Sequence, residues 1–242
     1  MLVISNLFKK YNKNKYYSVS DLSLNVNDGE IFGFLGRNGA GKSTTIKCIL
    51  GILPYEKGSI ELDGVDLVKN PNEVKQKIGF VSDERISYEN LTGREYVNFI
   101  GNIYNVDLEQ MKALLNEYAE RFKMTAVLDA PIRTYSFGLK QKISVIAALI
   151  HKPKLWILDE PIIGLDPEAA AEIKQCMIET KIEGNIVFFS SHYIDMVEKL
   201  CDRVAIIDRG KLLEVIDMKE FKKSNKNSLE EYYLDLIKSM DK

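Results

Sequence analysis

One glycine-rich stretch of the chain combines residue types and spacing that suit the binding of a phosphate group. It contains the pattern G-x-x-x-x-G-K-[ST] and reads Gly36-Arg37-Asn38-Gly39-Ala40-Gly41-Lys42-Ser43-Thr44. Glycines let the backbone curl so that its N–H groups point at a phosphate, and the N-terminus of a following helix adds partial positive charge. In such a loop Lys42 reaches the β- and γ-phosphate oxygens, and the Ser43 hydroxyl ligates Mg²⁺. This stretch, called the phosphate loop below, predicts a site for a nucleoside triphosphate.

Two carboxylates follow an apolar run in the second half of the chain. Leu155 to Leu158 predicts a buried strand, and Asp159 and Glu160 come directly after it. Ligands of open α/β sheets bind beyond the carboxyl ends of the strands. Asp159 can therefore hold the metal, and Glu160 can polarise the attacking water. Taken alone, the pair fits a solvated acidic turn equally well. The phosphate loop upstream favours the catalytic and metal-binding roles.

The spacing of apolar residues predicts the elements that position these groups. An alternating hairpin and a turn at Asn27-Asp28-Gly29 lead into a buried strand, Ile31 to Leu35, directly before the phosphate loop. Later strands that end near Leu158, Ser190 and Asp208 alternate with helical segments. This alternation indicates parallel strands joined by crossover helices.

Between these two regions the pattern changes to helical spacing. Thr92 and Glu95 form a capping box, and Asp107 can cap a second helix. The stretch from about residue 91 to residue 131 therefore predicts an inserted helical lobe. The tail from Asp217 is charged, and we expect it to be helical and peripheral.

Composition excludes several classes of protein. The 242 residues include 45% hydrophobic and 28% charged residues, which is the composition of a folded globular protein. The 33 basic and 35 acidic residues give a net charge of −2, which offers no sequence-wide reason to bind nucleic acid. The longest apolar runs are shorter than the ~20 residues that cross a bilayer. Cys48, Cys176 and Cys201 are far apart, and with only two histidines they predict neither disulfides nor a zinc site but a reducing cytosol.

Further motifs resemble those of the nucleotide-binding subunits of ATP-binding cassette (ABC) transporters, in the family's order, from residue 2 to about residue 216. Tyr135-Ser136-Phe137-Gly138-Leu139 stands in the place of the signature Leu-Ser-Gly-Gly-Gln. Ser190-Ser191-His192 resembles the switch histidine, and Gly164-Leu165-Asp166-Pro167 resembles the D-loop. Tyr11 stands at the position of the aromatic residue that stacks on adenine, with Tyr16 and Tyr17 as nearby alternatives.

The resemblance implies a fold and a set of site residues. The fold is α/β, a P-loop NTPase of the ABC type, with a mixed sheet core, an antiparallel β subdomain and an inserted α-helical subdomain. The cofactors are ATP and Mg²⁺. The catalytic residues are Lys42, Glu160 and His192. The nucleotide-binding residues are Tyr11, Gly36, Arg37, Asn38, Gly39, Ala40, Gly41, Lys42, Ser43, Thr44, Ser136, Gly138 and Asp166. The metal ligands are Ser43, Asp159 and Asp83.

This sequence departs from the family pattern at two places. Phe137 and Leu139 replace a Gly and the Gln of the signature, while Ser136 and Gly138 are kept. Asp83, followed by Glu84, stands where the family has a Gln after the strand that ends near Ser82. Either acid can take the place of the Gln. Ser136 and Asp166 also suit helix N-caps, a role compatible with nucleotide contact. His151 precedes a turn and receives no role.

The resemblance also implies an organisation and partners. Residues 1–84 and 154–216 form the core with its antiparallel part, about 85–153 the helical subdomain, and 217–242 the tail. The implied function is an ATPase subunit that closes as a homodimer or heterodimer and drives a separate transmembrane permease subunit from the cytoplasmic face of the membrane. The branch with this signature favours export of a drug, peptide or polysaccharide. The alternatives are a regulatory nucleotide-binding module with weak or no turnover, and a soluble ABC ATPase outside transport.

Overall fold

The computed structural model describes residues 1–11, 16–82, 88–162, 164–224 and 228–240. A first sheet contains four antiparallel strands: β1 (Leu2–Lys9), β2 (Val19–Val26), β4 (Lys57–Leu62) and β5 (Val65–Asp66). Their order is β2-β1-β4-β5. Buried and more exposed residues alternate along β2, so one face of this sheet packs on the core. The alternation predicted for the hairpin is confirmed.

The second sheet holds the strands that carry the candidate site. It contains β3 (Ile31–Leu35), β6 (Ile78–Val81), β7 (Leu155–Asp159), β8 (Ile186–Ser191), β9 (Arg203–Asp208) and β10 (Lys211–Asp217). Their order is β10-β9-β3-β8-β7-β6, and only the β9–β10 pair is antiparallel. Every residue of β3, β7 and β8 is buried, as expected for parallel strands covered on both faces. The carboxyl ends of these three strands meet at one edge.

Nine helices lie in the described parts of the chain. They are α1 (Lys42–Ile49), α2 (Pro71–Lys75), α3 (Gly93–Ile103), α4 (Leu108–Arg121), α5 (Phe137–Leu149), α6 (Pro167–Ile182), α7 (Ile194–Leu200), α8 (Met218–Ser224) and α9 (Leu229–Met240). Among these residues no helix is long and apolar enough to cross a bilayer.

The helical lobe consists of α3, α4 and the start of α5. The capping box is confirmed, because the Thr92 hydroxyl accepts from the Glu95 N–H and the Glu95 carboxylate accepts from the Thr92 N–H. Asp107 caps α4 as expected. Arg121, at the end of α4, forms ion pairs with Glu172 (2.6 Å) and Glu179 (2.8 Å) of α6. These contacts join the lobe to the helix that follows β7.

The C-terminal helices lie outside both sheets, yet they are firmly packed. Leu229, Tyr233 and Ile237 of α9 are buried against the main core. The Leu229 N–H also donates to Glu198 of α7 at 3.2 Å. The apolar residues that recur on one face of α9 cover the core, and the peripheral position expected for the tail stays a prediction.

Candidate active site

The phosphate loop connects β3 to α1 and adopts a conformation that requires glycine. Gly41 has φ 108°, and a Cβ there would lie 2.5 Å from the Ser18 carbonyl oxygen. A Cβ on Gly36 would lie 2.6 Å from the carbonyl oxygen of Ile207. No side chain of the described residues caps the N-terminus of α1, and its first turn contains no acidic residue. The first N–H groups of α1 are therefore disposed as in helix ends that bind phosphate.

Lys42 is a nearly buried cation at the centre of this loop. Its Nζ donates to the Gly36 carbonyl at 2.8 Å and to the Arg37 carbonyl at 3.4 Å. It also lies 3.7 Å from Oε1 of Glu160, and only 7% of the Lys42 side chain is exposed. The loop carbonyls thus hold the ammonium group beside the acid that follows β7.

Four polar side chains meet where β7 and β8 end. Asp159 is almost fully buried and accepts a hydrogen bond from the Ser190 hydroxyl, the residue opposite it in the sheet. Nδ1 of His192 lies 2.9 Å from Oε1 of Glu160. In the tautomer with a proton on Nδ1, His192 donates this bond. The pairing of β7 with β8 therefore brings together the acid and the histidine.

Glu160 shows two features that suit a reactive group rather than a structural one. Its backbone is left-handed, with φ 50°, a conformation that costs free energy for a residue with a side chain. The Glu160 N–H donates to Ser190 and helps to hold this conformation. Among the residues that the structure describes, its Oε2 is buried without a hydrogen-bond partner. A buried acceptor of this kind costs about 1–3 kcal/mol unless a ligand or water satisfies it.

A cleft of about 840 Å³ lies over these groups and is large enough for a nucleotide. Its lining combines the phosphate loop and the acids with residues of two other segments. The lining residues are Tyr16, Tyr17, Ser18, Arg37, Asn38, Gly39, Gly41, Lys42, Ser43, Thr44, Asp159, Glu160, Arg209 and Gly210.

The aromatic residues near the cleft divide into two groups. The Tyr11 hydroxyl lies 3.4 Å from Oγ1 of Thr44, at the start of α1, but Tyr11 is not among the lining residues. Tyr16 and Tyr17 do line the cleft. The choice of Tyr11 as the adenine-stacking residue stays a prediction.

The signature segment lies apart from this cleft. Ser136 caps α5 by accepting from the Leu139 N–H at 3.3 Å. Neither Ser136 nor Gly138 is among the described residues that line the cleft. Phe137, which replaces a glycine of the signature, packs on Gly164, where an added Cβ would lie 2.8 Å from the Phe137 ring. The departure at Phe137 is therefore accommodated by a glycine in the D-loop.

Asp166 also lies outside the lining of the cleft. It caps α6 by accepting from the Ala169 N–H at 2.8 Å, and this bond is the main reason why the pKa of Asp166 is lowered. Lys142 of α5 lies 3.6 Å from Oδ2 of Asp166. The ionised form of Asp166 therefore links the starts of the two helices that follow the signature and the D-loop.

Metal binding would depend on the nucleotide. Within the described ranges, no three His, Cys, Asp or Glu side chains cluster as a metal site. The Ser43 hydroxyl and the Asp159 carboxylate are both in the lining of the cleft. Mg²⁺ is commonly bound by one or two protein oxygens together with phosphate oxygens and water. The hydroxyl and the carboxylate fit this mode of coordination. Asp83 and Glu84 lie outside the described residues.

Two groups in the site were missed in the sequence. Ser190 was seen only as part of the histidine motif, although it holds both Asp159 and the Glu160 backbone. Arg209 lies on the turn between β9 and β10, far along the chain from the phosphate loop. No local pattern distinguishes Arg209 from any charged residue on a turn, so it required the tertiary structure.

Comparison with known proteins agrees with this geometry. The family model described as "ABC transporter" matches residues 19–163, more than half of the chain. The linearmycin resistance ATP-binding protein LnrL of Bacillus subtilis is 39% identical, over 89% of this chain and 68% of that protein. The bacitracin transport ATP-binding protein BcrA of Bacillus licheniformis is also 39% identical, over 93% of this chain and 72% of that protein.

Solved structures share the fold over nearly the whole chain. A structure described as the ATP-binding subunit of an ABC transporter is 28% identical, with a TM-score of 0.92 over 98% of this chain and 99% of that one. CbiO1 from Clostridium perfringens, described as part of the transporter complex CbiONQ, is 26% identical, with a TM-score of 0.76 over 92% of this chain and 90% of that one. The expected α/β fold of the ABC type is confirmed. The chain belongs to the ABC transporter family, as an ATP-binding subunit that hydrolyses ATP.

Proposed function

We propose that this chain powers export through a separate transmembrane permease subunit, by closing as a dimer around ATP at the inner face of the cell membrane. The observation that carries the proposal is the separation within one chain of the phosphate-loop cleft from the Ser136 segment. The lining of the cleft includes neither Ser136 nor Gly138, considering the residues that the structure describes.

A second copy, or a related subunit, would supply the missing half of each site. Ser136 offers a hydroxyl, and the N-terminus of α5 offers partial positive charge for an anion. Packed head to tail, the Ser136 segment of one subunit would face the γ-phosphate held by the phosphate loop of the other. Neither half alone surrounds the triphosphate, so turnover would require the dimer. Asp166, near the start of α6, would connect the two sites.

Within the cleft each side chain would have a distinct role. Lys42 would stabilise negative charge on the β- and γ-phosphate oxygens. Glu160 would accept a proton from the attacking water, for which its unpartnered Oε2 is available. His192 would hold the Glu160 carboxylate through its hydrogen bond to Oε1. Mg²⁺, held by Ser43 and Asp159 with Asp83 or Glu84, would neutralise phosphate charge.

The transport direction and the substrate class rest on the signature and on relatives. One relative is named for linearmycin resistance and another for bacitracin transport. These names favour an exported drug or peptide over the expected polysaccharide. The helical lobe would transmit closure of the dimer to the permease.

The proposal is tested by the variant Glu160→Gln, which keeps the size of the side chain but removes the base. We expect ATP to stay bound, hydrolysis to fall by about 10²–10⁴-fold, and a dimer to accumulate with ATP and Mg²⁺. Light scattering after size exclusion measures the dimer, and phosphate release measures turnover. Glu230→Gln, an exposed acid on α9, is the matched control.

Two results would contradict the proposal. A wild-type chain that turns over at its full rate while strictly monomeric would exclude the shared site. Unchanged hydrolysis in Glu160→Gln would show that another group is the base. The permease is tested separately: the neighbouring reading frame should encode a multi-span membrane protein, and coexpression with it should move the chain into the membrane fraction.

A further inference from the structure

The turn between β9 and β10 places a cation at the rim of the nucleotide cleft. Asp208 pairs with Lys211 across the hairpin, and Arg209 and Gly210 form the two-residue turn. Both turn residues line the cleft, together with Tyr16 and Tyr17. The Arg209 side chain is 71% exposed, so its charge is presented to the space where a nucleotide would enter.

This turn contacts the phosphate loop and the start of β2. The Gly210 N–H donates to the carbonyl of Ala40, within the phosphate loop, at 2.9 Å. The Gly210 carbonyl accepts from the Ser20 N–H at 2.7 Å. A Cβ on Gly210 would lie 2.8 Å from the Ser18 carbonyl oxygen, so the backbones are in close contact. Arg209 therefore has a defined position relative to the phosphate loop.

The backbone at Arg209 is unfavourable for an arginine. Arg209 and Gly210 have φ 47° and φ 79°, as in a type I′ turn. The first central position of that turn favours Asn, Asp or Gly, because other side chains crowd the left-handed backbone. Backbone strain of this kind is concentrated at functional sites, which indicates a function for the Arg209 side chain.

The cleft contains two acidic side chains, and its buried lysine already has partners, so a further cation at the rim could pair with phosphate. Lys42 is already engaged with loop carbonyls and with Glu160. Asp159 and Glu160 bring two negative charges into the same lining. Nε of Arg209 lies 3.5 Å from Asp208, a contact that orients the planar guanidinium group. A guanidinium has five N–H donors in a geometry that matches phosphate oxygens.

We propose that Arg209 is a nucleotide-binding residue whose guanidinium group pairs with phosphate oxygens of the bound nucleotide. This inference rests on the phosphate-loop cleft being the ATP site. The turn places the guanidinium group at the rim of the cleft. The hydrogen bond from Gly210 to Ala40 fixes the position of the turn relative to the phosphate loop. The strained backbone at Arg209 is then maintained for binding rather than for folding.

The first test removes the charge and keeps the length of the side chain, in Arg209→Gln. We expect the Kd for ATP, measured by calorimetry on the full chain without Mg²⁺, to rise about fivefold at low salt, which corresponds to about 1 kcal/mol. The increase should shrink in high salt, because salt screens an exposed pair. Lys211→Gln removes an equal charge from an exposed side chain outside the lining, and it should change Kd by less than about twofold.

The second test separates binding from folding. Arg209→Asn suits the type I′ turn, so it should melt at the same temperature as the wild type or higher, and yet bind ATP more weakly. A lower melting temperature together with weaker binding would indicate a structural role and would overturn the proposal. Equal ATP affinity in the wild type and in Arg209→Gln would also overturn it.

The third test identifies the part of the nucleotide that is recognised. Inorganic tripolyphosphate should displace a fluorescent ATP analogue less well from Arg209→Gln than from the wild type. An unchanged tripolyphosphate affinity with a weakened ATP affinity would place the contact on the base or ribose and reject phosphate pairing. If the wild type itself did not bind ATP, the assignment of the whole site would be refuted.

Discussion

Acidification should destabilise this fold through His151, a residue at the joint between the helical lobe and the second sheet. Its ring stacks on Tyr104, with ring centroids 3.6 Å apart, and its Nε2 lies 3.2 Å from the Ile78 carbonyl oxygen. A carbonyl only accepts, so the neutral ring donates from Nε2. Its Nδ1 is buried and has no hydrogen-bond partner within the part of the chain that the structure describes. A second proton would have to sit at this apolar position.

Burial lowers the pKa of His151 from 6.5 to about 4. The folded protein therefore keeps the ring neutral at a pH where the unfolded chain has already bound a proton. This difference in pKa contributes fully to the free energy of unfolding when the pH is above the pKa of His151 in the unfolded chain. The contribution is lost as the pH falls from about 6.5 towards about 4. Between about pH 7 and pH 5, the loss attributable to His151 is about 2 kcal/mol of unfolding free energy.

The measurement compares the wild type with His151→Phe in urea unfolding at both pH values, followed by the fluorescence of the buried Trp156. Phenylalanine retains an aromatic contact with Tyr104, and the Ile78 carbonyl still accepts from the Tyr104 hydroxyl at 3.0 Å. The carboxylates titrate in both proteins, so only the difference between their pH responses counts. If both proteins lose the same free energy between the two pH values, the reasoning about His151 is wrong.

Three further substitutions test the site itself. Lys42→Ala should lower ATP turnover by at least about 100-fold, and unchanged activity would remove the phosphate-loop assignment. Ser136→Asp should keep the cap of α5 and the melting temperature but abolish turnover by repelling the γ-phosphate; retained turnover would argue against a contact across the dimer. Tyr11→Ala should raise the Kd for ATP by about tenfold, more than Tyr17→Ala does, and the opposite order would make Tyr17 the adenine-stacking residue.

Sequence alone was sufficient where chemistry and local structure depend on neighbours in the chain. The glycines of the phosphate loop predict the left-handed backbone found at Gly39 and Gly41, since glycine lacks the Cβ that disfavours it. The capping box at Thr92 likewise depends on two residues that are close along the chain. The family resemblance added the order of the motifs and hence the fold.

Distances across the site needed the tertiary structure. Lys42 and Glu160 meet because β8 alone separates β3 from β7 in the sheet, and strand order is set by packing between segments distant in sequence. The same packing brings Ser190 beside Asp159 and leaves the Ser136 segment outside the cleft.

The rim of the cleft shows the same contrast between what the sequence indicates and what the tertiary structure adds. Arg209 is an ordinary charged residue in the sequence, and its turn lies against the phosphate loop because β9 pairs with β3 and the Gly210 N–H donates to the Ala40 carbonyl. The residues that can bind phosphate were evident from the sequence, because that ability resides in side-chain type and local backbone freedom. Tertiary structure decided which of them share one site, because that depends on how remote strands and helices bury their apolar surfaces together.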